Sequence, residues 1–233
     1  MTIDAPAAEL EVVQIQGVRI PIDPEIMSPT IQRHIREGKY ERGEAKNLPG
    51  MIEPGERLVE LGGGIGFLSA LVALQRKADF IAVVEANPAL IPLIERTHRA
   101  NGVHAEVRNA AVVSSKDRET APFYLHHDFW ASSLEPIKPK HLKAVIDIPL
   151  LGLDELIRAY APTMLIIDVE GSETELLNDV RLDGVRKVFM EIHHKVIGQR
   201  GVKAIFDYFS REGFCYDSRF SQFATVLFSR MDE

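Results

Sequence analysis

The sequence predicts an α/β fold: a mostly parallel sheet with helices on both faces, ending in an antiparallel hairpin. Two patterns lead to this prediction. From Arg57 onward, short apolar runs alternate with helix-length amphipathic runs, and two parallel strands need such a long crossover between them. Near the C-terminus, residues 214–217 and 224–228 are too close together for a crossover, so we expect them to pair antiparallel.

The region before Arg57 predicts small elements. Residues 12–22 alternate between apolar and polar around Gly17, which is typical of a short strand pair. Pro29 follows a serine and is favoured at the first position of a helix, so short helices are expected at 30–37 and 41–51.

The alternation after Arg57 defines the main elements in order. Strands are expected at residues 58–61, 80–85, 105–108, 164–169 and 187–192. Helices are expected between them and after them, at residues 67–76, 88–101, 153–160, 173–179 and 202–212. Because the strands are nearly continuous in apolar residues, we expect both faces of the sheet to be covered.

Residues 114–149 interrupt this alternation of strands and helices, and they contain four prolines, three histidines and the single tryptophan. We interpret them as an insertion that carries a hairpin, with strands at 122–125 and 133–137, and a long loop. Long irregular loops in compact domains are often functional.

The chain of 233 residues is long enough for one large domain. We expect residues 1–56 to form an N-terminal ribbon and helical cap, and residues 57–233 to form the ligand-binding domain with its inserted loop. One cysteine, Cys215, cannot form an internal disulfide. The acidic N-terminus lacks a signal-peptide pattern and no apolar run approaches 18 residues, so we expect a cytoplasmic protein without a membrane partner.

The formal charge of −7 argues against nucleic acid as the main partner, because neutralising phosphates requires a basic face. It does not exclude a small charged ligand. The sequence does not indicate an oligomeric state.

A glycine-rich turn after the first long strand is the strongest local motif. Gly62, Gly64 and Gly66 lie between a strand and a helix, where glycines let a ligand approach the backbone closely. A nicotinamide site would have G-x-G-x-x-G, and this spacing fails because Phe67 occupies the third glycine position. Glu60, just before the turn, suits a cationic ligand better than an anionic one.

Two further positions indicate a ligand that carries a ribose. Glu85 ends the second long strand, where a carboxylate can accept both ribose hydroxyls. Asn109, followed by Ala110, comes directly after the third strand and could bond an adenine edge or hold the turn.

Five segments together resemble the FkbM family of S-adenosylmethionine-dependent methyltransferases, which belong to class I and have a Rossmann-like sheet. The resemblance covers about residues 40–228 and rests on Glu60-Leu-Gly-Gly-Gly-Ile-Gly66, Val84-Glu-Ala-Asn-Pro88, Asn109-Ala-Ala-Val112, Leu165-Ile-Ile-Asp-Val-Glu-Gly171 with Glu173, and Met190-Glu-Ile-His193. Ile166 departs from the lysine that the family usually has there, and Gly64 stands where the family often has asparagine. The resemblance implies O-methylation of a hydroxyl on a sugar or another natural product.

Four polar residues follow two consecutive strands and are the predicted acceptor side. Asp168 and Glu170 share one face if the strand continues through them, and so do Glu191 and His193 after the next strand. Adjacent parallel strands would bring both pairs over one pocket, with His193 as a candidate general base. The same side chains could bind Mg²⁺, although nothing in the spacing requires a metal, and none is predicted.

Two segments are candidates to close over the pocket. Residues 126–133 contain Trp130, which could stack on the acceptor, and Tyr40 could reach the cofactor as a lid.

The main hypothesis is therefore a methyltransferase that acts on a small-molecule hydroxyl. Gly62, Gly64, Gly66 and Glu60 would hold the methionine part of S-adenosylmethionine, Glu85 the ribose, and Asn109 and Ala110 the adenine. The alternatives are a metal-dependent, catechol-type O-methyltransferase, a nicotinamide-dependent oxidoreductase and a non-catalytic cofactor-binding protein.

Overall fold

A computed structural model describes residues 10–136 and 138–231 of the chain. Residues 1–9, to which most of the signal-peptide prediction refers, lie outside the described residues. So does Ile137, the last residue of one predicted strand. In the described part, no helix is long and apolar enough to cross a membrane.

The strands, in chain order, are β1 (Glu11–Ile15), β2 (Val18–Ile22), β3 (Glu56–Leu61), β4 (Ala78–Glu85), β5 (Glu106–Asn109), β6 (Ala111–Val113), β7 (Thr120–His126), β8 (Leu142–Gly152), β9 (Met164–Ile167), β10 (Lys187–Glu191), β11 (Phe214–Tyr216) and β12 (Thr225–Arg230). The α-helices are α1 (Pro29–Arg36), α2 (Arg42–Met51), α3 (Phe67–Leu74), α4 (Ile91–Asn101), α5 (Leu153–Tyr160), α6 (Glu173–Leu176) and α7 (His194–Arg211). Two short 3₁₀ helices lie at Phe129–Ala131 and Pro139–His141.

The central sheet has seven strands in the order β11-β12-β10-β9-β3-β4-β5. The run from β10 to β5 is parallel, whereas β12 pairs antiparallel with both β10 and β11. The predicted parallel sheet and its terminal antiparallel hairpin are both confirmed. From β3 the chain adds β4 and β5 toward one edge of the sheet, and from β9 it adds β10 toward the other edge, so the strand order changes direction between β3 and β9. Ligands of open α/β sheets bind at such a point, outside the carboxyl ends of the strands.

Helices cover both faces of this sheet, as predicted. Helices α1 to α4 and the β1–β2 ribbon pack on one face, and α5 to α7 pack on the other, each over its own apolar cluster. Side chains alternate along β3, so Leu58 and Glu60 point to the first face, whereas Val59 and Leu61 join the cluster of the second.

The N-terminal elements form where the sequence predicts them. Strands β1 and β2 pair antiparallel around Gly17, whose φ is +89°. Helix α1 begins with Pro29, and the Ser28 hydroxyl accepts a hydrogen bond from the Ile31 N–H at 3.3 Å. The domain boundary between residues 56 and 57 stays a prediction.

The inserted region differs from the prediction in its pairing. Strand β7 pairs antiparallel with β8 over its whole length, and β8 pairs in parallel with the short β6. Residue Ser133, expected in the partner strand, makes only an isolated bridge with Tyr124. β7 pairs with β8 because β8 is a continuous strand of eleven residues, long enough to match β7 along its whole length. The segment around Ser133 is too short for this, since a bend and Pro136 follow it directly.

Candidate functional site

The glycine turn after β3 is closely packed against the neighbouring strand end. Gly62 has φ +87°, and a Cβ atom there would lie 1.8 Å from the main-chain oxygen of Asp168. At Gly64, with φ +52°, a Cβ atom would lie 2.8 Å from the hydroxyl oxygen of Tyr40. Gly62 therefore requires glycine, whereas the positive φ and the close approach of Tyr40 favour glycine at position 64, and the turn leads through Gly66 into α3. Gly62 and Gly64 line a cavity of about 980 Å³.

Glu85, the last residue of β4, joins this turn to the next one. Its two carboxylate oxygens accept hydrogen bonds from the backbone N–H groups of Gly64 (2.9 Å) and Asn87 (2.7 Å). Burial raises the pKa of Glu85 to about 7, although these N–H groups favour the charged form. The carboxylate lines the cavity and can still accept hydrogen bonds from a ligand.

Asn109 and Ala110 lie beside Glu85 but have different surroundings. The Asn109 side-chain amide donates to the carbonyl oxygens of Glu85 (2.8 Å) and Ala86 (3.0 Å), so it holds the turn. Ala110 is buried and lines the cavity, whereas Asn109 is not part of its lining. Of the two, the structure brings Ala110 to the site and gives Asn109 a supporting position.

Glu60 is not part of the cavity lining. Its side chain is 1% exposed on the α3 face of the sheet, next to Ser69. Burial raises its pKa to about 8, and its Oε2 atom has no hydrogen-bond partner among the described residues. Glu60 therefore lies behind the glycine turn. Its side chain does not reach the cavity, contrary to the prediction that it would contact the charged end of the ligand.

The four predicted acceptor-side residues converge on one wall of the same cavity. The Nε2 atom of His193 lies 3.3 Å from a Glu170 oxygen, 3.7 Å from an Asp168 oxygen and 3.9 Å from a Glu191 oxygen. All four side chains line the cavity. The sequence thus predicted their meeting correctly, at the carboxyl ends of β9 and β10.

The local backbone that positions them is not the continued strand of the prediction. Strand β9 ends at Ile167, and Glu170 has φ +47°, in the left-handed region. His193 likewise lies past the end of β10, at the residue that precedes α7. Two turns at adjacent strand ends, rather than strand alternation, therefore bring the carboxylates and the imidazole together.

Glu173 holds His193 from the other side of its ring, a role that was not predicted from the sequence. Its Oε1 atom lies 2.5 Å from His193 Nδ1 and also accepts from the backbone N–H groups of His193 (3.2 Å) and Gly171 (3.3 Å). The side chain is 0% exposed. An acid at the first position of a short helix, two residues after the Asp-Val-Glu-Gly turn, was the available signal.

The electrostatics of this cluster keep His193 charged. Burial alone would lower the pKa of His193, but the hydrogen bond to Glu173 and the charges of Glu170 and Asp168 raise it to about 9. Burial also raises the pKa of Glu173, yet its bonds to His193 leave that pKa below its usual value. His193 and Glu173 therefore form an imidazolium–carboxylate pair at neutral pH.

The carboxyl groups on the cavity side are shifted in the opposite direction. Burial, helped by the charges of Glu170 and Glu191, raises the pKa of Asp168 well above its usual value. Burial raises the pKa of Glu170 to about 7 and that of Glu191 in the same direction, while His193 opposes both shifts. Around neutral pH this wall can take up or release a proton, as general acid–base chemistry requires.

Three of these residues are also arranged as metal ligands. One ligand atom each from Asp168, Glu170 and His193 lie within 4.8 Å of one another. Carboxylate oxygens suit Mg²⁺, so the group could hold a divalent cation once His193 has released the proton of its Nε2 atom.

The segments expected to close over the pocket do line it. Tyr40 is buried beside the glycine turn, and Phe129 and Trp130 line the cavity from the inserted region. The Ser133 hydroxyl donates to the carbonyl oxygen of Glu170 at 3.1 Å, which ties this region to the acceptor wall. The ring of Trp130 lies 5.3 Å from that of His34, so the inserted region also contacts α1.

Comparison with known families identifies the class. The model of the methyltransferase FkbM domain matches residues 65–216, about two thirds of the chain. No curated protein matches the chain.

Solved structures show the same fold at low sequence identity. TYW2 of M. jannaschii in complex with AdoMet is 12% identical with a TM-score of 0.50, and the match covers 99% of this chain and 90% of that one. The tRNA (uracil-54, C5)-methyltransferase of Pyrococcus abyssi, in complex with S-adenosyl-L-homocysteine, is 14% identical with a TM-score of 0.53; the match covers 95% of this chain but 44% of that one. The tRNA m1G37 methyltransferase of M. jannaschii is 12% identical with a TM-score of 0.50, covering 97% of this chain and 58% of that one.

The fold and the family match define an S-adenosylmethionine-dependent methyltransferase. The chain belongs to the FkbM methyltransferase family, as its motifs predicted.

Proposed function

We propose that this protein transfers the methyl group of S-adenosylmethionine to a hydroxyl oxygen of a small molecule. One observation carries the proposal. The His193–Glu173 ion pair faces three carboxyl groups on a wall of the same cavity that the glycine turn lines. This wall offers a proton acceptor next to the expected cofactor site, which transfer to a hydroxyl requires.

The cofactor side fits the proposal. Gly62 and Gly64 line the cavity without side chains, so a ligand can approach the backbone of the turn closely, and Glu85 presents a carboxylate for the ribose hydroxyls. Ala110 would contact the adenine, with Asn109 fixing that turn, and Tyr40 would cover the methionine part. Gly66 and Glu60 would support the turn from behind. When bound, S-adenosylmethionine supplies a methyl group that is already activated by its sulfonium charge.

The acceptor side supplies positioning and proton transfer. Glu170, whose pKa is about 7, would accept the hydroxyl proton as the oxygen bonds to the methyl carbon. As the acceptor oxygen loses its proton, His193 would donate a charge-assisted hydrogen bond to that oxygen. Glu173 keeps the His193 ring charged and oriented. Asp168 and Glu191 would contact other hydroxyls of the acceptor.

Charge favours a small acceptor over a nucleic acid. The solved relatives named above include tRNA methyltransferases, but their likeness to this chain extends to the fold alone. The chain has a net charge of −7, and its acceptor wall is acidic. An RNA backbone would be repelled by such a wall unless a basic face compensated for it.

Binding and product analysis test the proposal. We expect S-adenosylhomocysteine, and not NAD, to raise the melting temperature, and we expect His193→Ala to bind S-adenosylhomocysteine normally. With labelled S-adenosylmethionine and a library of hydroxylated small molecules, the wild type should form methyl ethers, and Glu170→Gln should lose most of the rate. Stabilisation by NAD alone would support the oxidoreductase alternative, and cofactor binding without any transfer would support a non-catalytic protein.

A metal-assisted version of the same reaction is the second candidate, because Asp168, Glu170 and His193 place three ligand atoms within 4.8 Å. A cation there would acidify the acceptor hydroxyl directly. Calorimetric titration with Mg²⁺ decides between the two versions: binding that is lost in Asp168→Asn, together with chelator-sensitive transfer, would favour the metal.

A further inference from the structure

Phe223 is an exposed aromatic residue on the wall of the cavity. Its side chain is 96% exposed, far more than any other large apolar side chain among the described residues, yet it lines the 980 Å³ space. Single exposed apolar residues are common on protein surfaces, so exposure alone indicates little. The backbone that carries the ring provides an independent observation.

The turn that presents Phe223 is strained by that residue. Gln222 and Thr225 exchange two backbone hydrogen bonds, of 2.8 and 3.0 Å, around the two central residues Phe223 and Ala224. Phe223 has φ +53°, at the first central position, where such tight hairpin turns prefer glycine. A bulky residue in the left-handed region is an outlier, and outliers of this kind concentrate at binding and active sites.

The turn is fixed to the acceptor side of the cavity. Thr225 lies opposite Glu191 in the β10–β12 pairing, so the turn is adjacent to one member of the acceptor wall. The Thr225 hydroxyl donates to Glu44 at 2.6 Å, and the Asn47 side chain donates to the Phe220 carbonyl at 3.0 Å, which ties the segment to α2. These bonds fix the chain on both sides of Phe223 next to the cavity.

We propose that Phe223 is an acceptor-binding residue and that the acceptor is a hydroxylated ring with an apolar face, such as a pyranose or a phenol. This inference rests on the proposed function and specifies its substrate class. The apolar face of the ring would pack on Phe223, while its hydroxyls would meet the carboxylates at the carboxyl ends of β9 and β10. Aromatic side chains that supply an apolar face, with a few polar groups that set orientation, are the usual composition of small-molecule sites.

The test compares ring-shaped with acyclic hydroxyl compounds in the protein saturated with S-adenosylhomocysteine. The probes are methyl β-glucopyranoside, phenol and catechol, with glycerol and erythritol as acyclic counterparts, titrated by ligand-observed NMR. We expect at least one ring probe, and neither acyclic probe, to bind the wild type. Phe223→Gly should weaken binding of that ring probe about three- to tenfold, and Phe223→Tyr should restore it. Because glycine relieves the strained φ, the melting temperature of Phe223→Gly should be unchanged or higher.

Tyr216→Ala is the matched control. Tyr216 is another exposed aromatic residue of the same hairpin, 46% exposed, and it does not line the cavity, so its removal should leave probe binding unchanged. The inference is overturned if no ring probe binds, if acyclic probes bind as well, or if Phe223→Gly binds the ring probe like the wild type. It is also overturned if Phe223→Gly converts a dimer into a monomer in sedimentation, because the ring would then belong to an interface. Failure of the wild type to bind S-adenosylhomocysteine would instead refute the proposed function.

Discussion

Replacement of Glu85 by alanine is the sharpest test of the cofactor site. In the structure the carboxylate accepts backbone hydrogen bonds from Gly64 and Asn87, and it would also accept the ribose hydroxyls. Each hydrogen bond to a charged group contributes about 1.5–3 kcal/mol. Loss of the ribose bonds, together with a looser glycine turn, should weaken S-adenosylhomocysteine binding by roughly 2–4 kcal/mol, or about 30- to 1,000-fold.

Protein stability should change less than this affinity. Burial raises the pKa of Glu85 to about 7, so the charged form is disfavoured in the free protein, and alanine removes that penalty along with the two backbone bonds. The same shift predicts a pH dependence. The carboxylate, which is the better acceptor for hydroxyl donors, becomes populated as the pH rises through 7, so wild-type affinity should increase from pH 6 to pH 8.

Isothermal titration calorimetry of three variants separates these effects. Glu85→Gln keeps the shape but cannot ionise, so it should bind more weakly than the wild type and lose the contribution of this residue to the pH dependence. Glu95→Ala, an exposed position on α4, is the control and should bind normally. If folded Glu85→Ala binds S-adenosylhomocysteine within about threefold of the wild type, the assignment of Glu85 to the ribose is wrong.

Three further predictions concern packing and protonation. Gly62→Ala should lower the free energy of unfolding, measured with urea, by roughly 3 kcal/mol or more, because the new Cβ would lie 1.8 Å from a backbone oxygen. Gly184→Ala is the control, since Gly184 also has a positive φ (+79°) but has open space around it, and this variant should lose only about 1 kcal/mol. Equal losses in the two variants would show that packing at Gly62 is not the cause. Glu173→Gln should lower the pKa of His193 from about 9 toward 6.5 in an NMR titration, and an unchanged value would show that the cavity carboxylates alone set it. The pKa of Glu60 is about 8 in the folded protein and 4.5 in the unfolded chain, so its contribution to stability is complete below pH 4.5 and is lost progressively up to pH 8. In Glu60→Gln, the fall in the free energy of unfolding between these pH values should be smaller than in the wild type by roughly 3–5 kcal/mol. An unchanged fall in the variant would refute the shifted pKa.

Much of the fold could be predicted from the sequence because its signals are local. The apolar runs of β3, β4, β9 and β10, each followed by a helix, define parallel strands without reference to contacts elsewhere. The pairing of β7 could not be predicted in the same way. Its partner, β8, lies beyond an intervening loop, and several segments of the insertion have similar local patterns, so only the three-dimensional arrangement selects one of them.

The candidate site was likewise predictable in part from the sequence and in part only from the tertiary structure. Its predicted convergence of four side chains follows from one general property of parallel sheets, namely that the carboxyl ends of neighbouring strands share an edge. The roles of individual residues depend on which way each side chain points and on what lies behind it. Glu173 behind His193, and Glu60 turned away from the cavity toward α3, are examples of this dependence.

The sequence by itself determined the class of sheet, the glycine turn and the family, because strand periodicity, turn chemistry and motif order are properties of short segments. Only the tertiary structure decided that His193 is held charged by Glu173, that Asn109 supports a turn rather than lining the cavity, and that Phe223 lies at the acceptor side. These outcomes depend on burial, on charges brought together from distant segments, and on strained turns, and such properties exist only once the chain is folded.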